Sequence, residues 1–144
     1  MIINIQQITK EEALIVRAPV LRKHQPPEWA KMSEDSNINT FHIGAKINNE
    51  IVGTATIYPE NRDENQNEWR LRGMAVLDEY QSNGIGEKLL DDCFKLILSK
   101  GGQLLWCNAR IGAIQFYKKC GFTICSDEFD IPNIGPHFVM EKIL

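Results

Sequence analysis

Apolar residues along this chain recur with periods that assign most of its elements. Ile2, Ile3 and Ile5 predict a first strand. Thr9-Lys10-Glu11-Glu12 then has the capping-box form, in which two side chains satisfy orphan amides at a helix start. The helix from about Lys10 is expected to end or kink at Pro19, which has no amide to donate and clashes with the preceding turn. Lys23 to Asn39 carries Pro26, Pro27 and Trp29 among polar residues without a sustained period, and predicts a loop with one short helix. Phe41 to Ile47 and Glu50 to Tyr58 are strand-like runs joined by Asn48-Asn49, a pair that tolerates the positive φ of a two-residue hairpin.

Pro59 to Asn67 has no apolar anchor and predicts an exposed connection, after which Trp69 to Leu77 resumes a strand. Ile85, Leu89, Leu90, Cys93, Phe94, Leu96 and Ile97 fall on one helical face, and Gly101-Gly102 accepts the left-handed end of that helix. A strand over Gln103 to Cys107, a helix over Ile111 to Lys119 stopped by Gly121, and strands over Phe122 to Cys125 and Phe138 to Ile143 complete the pattern. The order predicts a mixed sheet with helices on its faces.

The chain has 144 residues, 43% of them hydrophobic and 24% charged, which suits one domain spanning 1–144. No window approaches the roughly 18 consecutive apolar residues of a membrane span, and Met1 to Lys10 lacks the basic-then-apolar layout of a secretory signal. A cytoplasmic protein without a membrane partner is expected. Sixteen basic residues against nineteen acidic give a net charge of −3, which argues against nucleic acid as the main partner. Cys93, Cys107, Cys120 and Cys125 show no C-x-x-C spacing, and His24, His42 and His137 stand apart from them, so no metal site is expected. All but Cys120 lie in apolar runs and read as small buried residues of a reducing compartment.

The most informative stretch runs from Arg70 to Leu90: a strand, a turn containing Gly84 and Gly86, and a long amphipathic helix. Glycines there let the backbone approach a ligand, and a helix start offers unpaired amides and partial positive charge, so the expected guest is a phosphate or pyrophosphate. A Walker A loop is excluded because no Gly-Lys-Ser/Thr follows, and a dinucleotide fingerprint fits poorly without a third glycine and a ribose-binding acid. Gln81-Ser82-Asn83-Gly84-Ile85-Gly86 instead resembles the Arg/Gln-x-x-Gly-x-Gly/Ala motif of the GNAT superfamily of acyl-CoA-dependent N-acyltransferases. Met74-Ala75-Val76 precedes it and Leu89-Leu90 follows; Asn108-Ala109-Arg110, Ala113, Phe116-Tyr117 and Gly121-Phe122 match the second half of the pattern. Arg17, Val20-Leu21-Arg22 and Gln25-Pro26 look like the first-helix segment of one bacterial subgroup.

The resemblance implies an α+β fold: a mixed, mostly antiparallel sheet of six to seven strands, about four helices, and a central β-α-β phosphate-binding unit. It also implies acetyl-CoA as acyl donor and an amine as acceptor, with N-acetyl transfer by direct attack. The strands at Met74-Ala75-Val76 and Gln103 to Cys107 would splay and take up pantetheine as an added strand, and the amides from Gln81 to Gly86, through Ser82, Asn83, Gly84 and Ile85, would hold the pyrophosphate. Ala113 is carried over as a cofactor contact. Asn108 resembles a pantetheine-contacting residue, and reads equally well as a helix N-cap before Ile111. Tyr117 resembles the tyrosine that protonates the leaving thiolate; the alternative for it is core packing.

Members often supply a base from a glutamate on the strand before the turn. Here strand alternation puts Glu68, Arg70, Arg72 and Met74 on one face, which makes Glu68 the candidate base and Arg72 a candidate clamp for an anionic acceptor. A bulge would invert that face, and a solvated face remains the alternative for the arginines. His137 resembles a histidine of the same subgroup's carboxy-terminal loop and is a candidate acceptor-site residue; a surface or hydrogen-bonded histidine is the alternative. A non-catalytic acyl-CoA sensor on the same fold is the competing function. A homodimer is left open, because edge-strand exposure is not a property of sequence.

Overall fold

The computed structural model of the chain describes residues 1–63 and 65–144. In chain order the elements are β1 (Asn4–Ile8), α1 (Lys10–Leu21), β2 (Phe41–Ile47), β3 (Glu50–Pro59), β4 (Glu68–Val76), α2 (Ile85–Ser99), β5 (Leu104–Arg110), α3 (Ile114–Lys119), β6 (Thr123–Ile124), β7 (Phe129–Ile131) and β8 (Gly135–Ile143). One eight-stranded sheet runs β1-β2-β3-β4-β5-β8-β6, with β7 also on β8. Only the β4/β5 pair is parallel among the described residues. The mixed α+β fold and its central β4-α2-β5 crossover agree with expectation.

Local chemistry explains the parts that were foreseen. Thr9 and Glu12 form the reciprocal capping box that starts α1. Asn48 and Asn49 both take positive φ, 50° and 67°, which matches the twist of the β2–β3 hairpin. Leu89, Leu90, Cys93 and Ile97 of α2 are fully buried against Ala55, Ile57 and Leu71 of the sheet. Truncating such a leucine to alanine costs about 2–5 kcal/mol. On the opposite face Thr56, between Ala55 and Ile57, accepts from Arg17 of α1 at 2.9 Å. Arg17 also pairs with Asp35 at 2.9 Å, which ties the 22–40 segment to the sheet.

Several expectations need correction. The sheet has eight strands because Phe129–Ile131 pairs with β8, a three-residue run too short to announce itself by alternation. Among the described residues three α-helices replace the expected four, since Ile111–Ala113 is a 3-10 turn before α3 and the 23–39 segment holds two 3-10 turns, Pro27–Ala30 and Ser33–Ser36. Helix α1 passes through Pro19 to Leu21, because a proline in the last turn forfeits only one hydrogen bond. Strand β5 continues beyond Cys107 to Arg110, paired throughout with β8. Cys125 is exposed rather than buried, although all four cysteines are free. The 59–67 connection is largely exposed as expected, with Glu60 and Arg62 turned partly inward and Glu64 outside the described residues.

The correction with most consequence lies in β4. Thr54 pairs with Ala75 and Thr56 with Arg72, so Gly73 and Met74 together oppose Ala55, with Gly73 at φ 64°. This bulge breaks the alternation. Arg70 and Arg72 stay on the α1 side, while Met74 crosses to meet the start of α2 beside Gly86 and Phe116.

Candidate active site

Strands β4 and β5 pair at Glu68–Leu104, Trp69–Leu105 and Arg70–Trp106 and no further, although β4 runs on to Val76 and β5 to Arg110. Their outer edges remain paired, with β3 and β8 respectively. The facing edges part just before the Gly73 bulge, which bends β4 away and leaves backbone donors and acceptors open along the gap. An extended ligand bearing amides can pair there as an added strand.

A cleft of about 660 Å³ occupies that gap, lined by Met74, Ala75 and Val76 from β4, Ser82, Gly84, Ile85 and Gly86 from the turn, and Ala113, Phe116 and Tyr117. The amides from Ser82 to Glu87 donate to no backbone carbonyl among the described residues. They form the anion-receptive start of α2. Gly84 caps the helix in the left-handed conformation at φ 76°, and a Cβ there would meet nothing within 4 Å. Gly86 serves packing instead. A Cβ on it would lie 2.8 Å from Cζ of Phe116 and 3.3 Å from Cε of Met74.

Gln81 lines the cleft and also braces the turn, whereas Asn83 stands outside the lining and only braces it. The Gln81 side chain donates to the Val76 carbonyl at 2.9 Å and its amide to Asp78. Asn83 Nδ2 donates to the carbonyls of Tyr80 and Gln81.

Beyond Tyr117 lies a second, smaller cleft of about 210 Å³ between α1, β4, β5 and the β7–β8 turn. Met74, Ala113 and Tyr117 line both clefts, and Tyr117 alone of these carries a proton to give. Its ring is 7% exposed and packs edge-on against Phe116 and Phe122, at 5.2 Å in each case. Core packing and placement at the junction are therefore both true of it. Burial, and then the thiols of Cys107, Cys120 and Cys93, hold its phenol well above the usual tyrosine value, so the group stays protonated.

The smaller cleft is strongly basic. Arg17, Arg22, Arg70, Arg72, Arg110 and His137 line it, and no carboxylate among the described residues does. Three of the arginines are neutralised from outside: Arg17 by Asp35, Arg70 by Glu60 at 3.2 Å and Arg72 by Glu34 at 3.1 Å. Among the described residues, Arg22 and Arg110 have only the Leu21 carbonyl, at 2.8 and 3.0 Å. Burial lowers both pKa values, and for Arg22 the nearby Arg110, Arg72 and Arg17 lower it further.

His137 is buried, with Nδ1 at 2.7 Å from the Gly135 carbonyl. A carbonyl can only accept, so Nδ1 donates to it, which leaves Nε2 as the ring nitrogen placed to accept. Asn108 also lines this cleft, from inside β5 opposite Val139, and not as a helix cap.

Glu68, the expected base, is placed elsewhere. It starts β4, lines neither cleft, and is held by Arg62 through contacts of 2.8 and 3.1 Å. Hydrogen bonds from Arg62 keep its carboxyl below the usual range, which makes it a weak proton acceptor.

A family model described as acetyltransferase (GNAT) family matches residues 5–122. The chain is also 33% identical to the uncharacterized N-acetyltransferase YitI of Bacillus subtilis (strain 168), over 99% of this chain and 97% of the relative. The chain belongs to the GNAT acetyltransferase family. Among solved structures, an aminoglycoside 6′-N-acetyltransferase complexed with coenzyme A superposes with a TM-score of 0.80 at 18% identity, covering 99% of this chain and 97% of that one. Escherichia coli ElaA gives 0.80 at 18% identity, covering 98% and 99%. These two share the fold.

As a GNAT acetyltransferase the protein draws its acyl group from acetyl-CoA. No helix among its described residues is long and apolar enough to cross a membrane. Of the residues foreseen for this GNAT member, Met74, Ala75, Val76, Gln81, Ser82, Gly84, Ile85, Gly86, Ala113 and Tyr117 converge on the large cleft, while Arg72, Asn108 and His137 gather on the small one. Arg22 and Arg110 were not foreseen as a pair, because they meet from positions far apart in the chain. Their one signal was membership of two segments that match the family pattern.

Proposed function

We propose that this GNAT acetyltransferase transfers the acetyl group of acetyl-CoA to a primary amine by direct attack. The observation that carries this reading is the junction at Tyr117, where an edge-lined cleft ending in open amides meets a basic cleft. Pantetheine lies between β4 and β5 with its amides paired to their free edges, and the pyrophosphate rests on the amides from Ser82 to Glu87. The thioester then reaches Tyr117 and the amine enters from the smaller cleft.

The amine lone pair attacks the thioester carbonyl, and the oxyanion takes up hydrogen bonds from the open β4 edge. As the intermediate collapses, the C–S bond breaks and the thiolate takes its proton from the Tyr117 hydroxyl. His137 Nε2, directly or through a water, receives the proton that the amine nitrogen loses. The products are then neutral, and a proton returned from the His137 imidazolium to the Tyr117 phenolate through solvent resets the enzyme; direct attack forms no covalent enzyme intermediate. The free cysteines, two of them buried, suit a cytoplasmic setting for this chemistry.

The test is acetyl-CoA turnover across a panel of primary amines, followed by release of free thiol and by mass spectrometry of the product, beside calorimetric binding of CoA. Amine-dependent thiol release supports the proposal. Tight CoA binding without turnover on any amine would replace the enzyme with an acyl-CoA sensor.

A further inference from the structure

We infer that the acceptor is a small amine bearing a carboxylate or phosphate, and that Arg22 and Arg110 grip the anion. The inference rests on the acetyl-transfer reading and adds the class of substrate. Five arginines line the smaller cleft with no carboxylate beside them among the described residues, and external acids cancel three of them. The remaining two come from the end of α1 and the end of β5, and both lean on one oxygen, that of Leu21. Two partly buried guanidinium groups brought together on a single neutral acceptor leave donors and two positive charges unmatched. A planar or tetrahedral oxyanion can accept from both forks at once.

Size and position narrow the class. A cleft of about 210 Å³ holds about seven waters at ~30 Å³ each, room for a metabolite the size of an amino acid. A neighbouring recess shares Arg22 and Arg110 and opens them toward solvent beside Lys23, which Asp78 neutralises at 2.6 Å, so the field that draws an anion inward is that of the two arginines. Neither arginine lines the cleft that ends in the open amides, so the phosphates of CoA already have their own seat. Arg72 is engaged by Glu34 and helps shape the wall instead.

Matched acceptors test this: an amino acid against its amide, and phosphoethanolamine against ethanolamine. Wild-type protein is expected to favour the anionic member of at least one pair by tenfold or more in kcat/KM, and the pair with the larger ratio distinguishes carboxylate from phosphate. Arg22→Gln and Arg110→Gln should each reduce that preference about ten- to a hundredfold, chiefly by raising KM for the anionic amine, as expected for lost charged hydrogen bonds. Arg110→Lys keeps the charge and should restore part of it. Calorimetry of acetyl-CoA on the same variants separates donor from acceptor effects.

Equal use of anionic and neutral amines by the wild type would overturn the grip and leave acetyl transfer standing. Variants that weaken acetyl-CoA binding with the acceptor ratio unmoved would assign the arginines to the donor and overturn it as well. Failure of every amine, charged or not, would remove the acetyl-transfer reading and the grip together.

Discussion

Replacing Glu68 with glutamine separates a structural carboxylate from a catalytic one. Glu68 accepts from Arg62 through Nε at 2.8 Å, through Nη2 at 3.1 Å and through the backbone amide at 3.0 Å, with side chains 4% and 23% exposed respectively. Removing one charge from a buried pair costs about 3–5 kcal/mol. Arg62 is partly solvated and keeps Glu141 at 3.0 Å, so about 2–3 kcal/mol is expected here. With an unfolding entropy of about 2.1 cal/mol/K per residue, the whole chain loses roughly 0.3 kcal/mol per degree, and Tm should fall by about 7–10 °C.

The folded-state pKa of Glu68 is depressed from 4.5. Its contribution is therefore complete above that value and drains away as pH falls below it, where the wild type and Glu68→Gln should converge. Thermal unfolding followed by circular dichroism from pH 7 down to about 3.5 reads both effects, and thiol release at 25 °C reads turnover. Unchanged Tm with turnover lost would refute the structural assignment and return Glu68 to the chemistry.

Tyr117→Phe removes only a hydroxyl from a ring packed on Phe116 and Phe122, so CoA affinity and Tm should hold while kcat falls roughly ten- to a thousandfold; wild-type kcat would take Tyr117 out of the reaction. His137→Gln should lower kcat/KM about a hundredfold or more if Nε2 receives the amine proton, whereas a change confined to Tm would make the histidine a packing residue. Gly84 faces open space in a conformation that Asn and Asp tolerate. Gly84→Asp should bind CoA about tenfold more weakly than Gly84→Asn, and the difference should shrink in high salt; equal affinities would move the pyrophosphate away from this turn.

What could be read from the sequence was what neighbours in the chain determine. Thr9 and Glu12, the Asn48-Asn49 turn, and the spacing of Leu89, Leu90, Cys93 and Ile97 each act within one or two turns of backbone. The Gly84 turn and Tyr117 were legible because their segments match a known pattern. The Gly73 bulge was not, since it depends on the register of β4 against β3 and moves Met74 to the other face. Pairing decided charge in the same way. Arg72 looked like the available cation until Glu34 came to it from the 22–40 segment, and Glu68 looked like a base until Arg62 closed on it. Arg22 and Arg110 meet only after α1 and β5 have docked on the sheet.

Acetyl-CoA is proposed to lie in the gap between β4 and β5 with its pyrophosphate on the start of α2. Amide chemical shifts of ¹⁵N-labelled protein, followed as CoA is added, test it residue by residue. The largest changes are expected at Ser82 to Glu87, with a second set at Gly73 to Val76 and Cys107 to Arg110. Saturable binding that leaves the amides of Ser82 to Glu87 unmoved and shifts a different surface would contradict it.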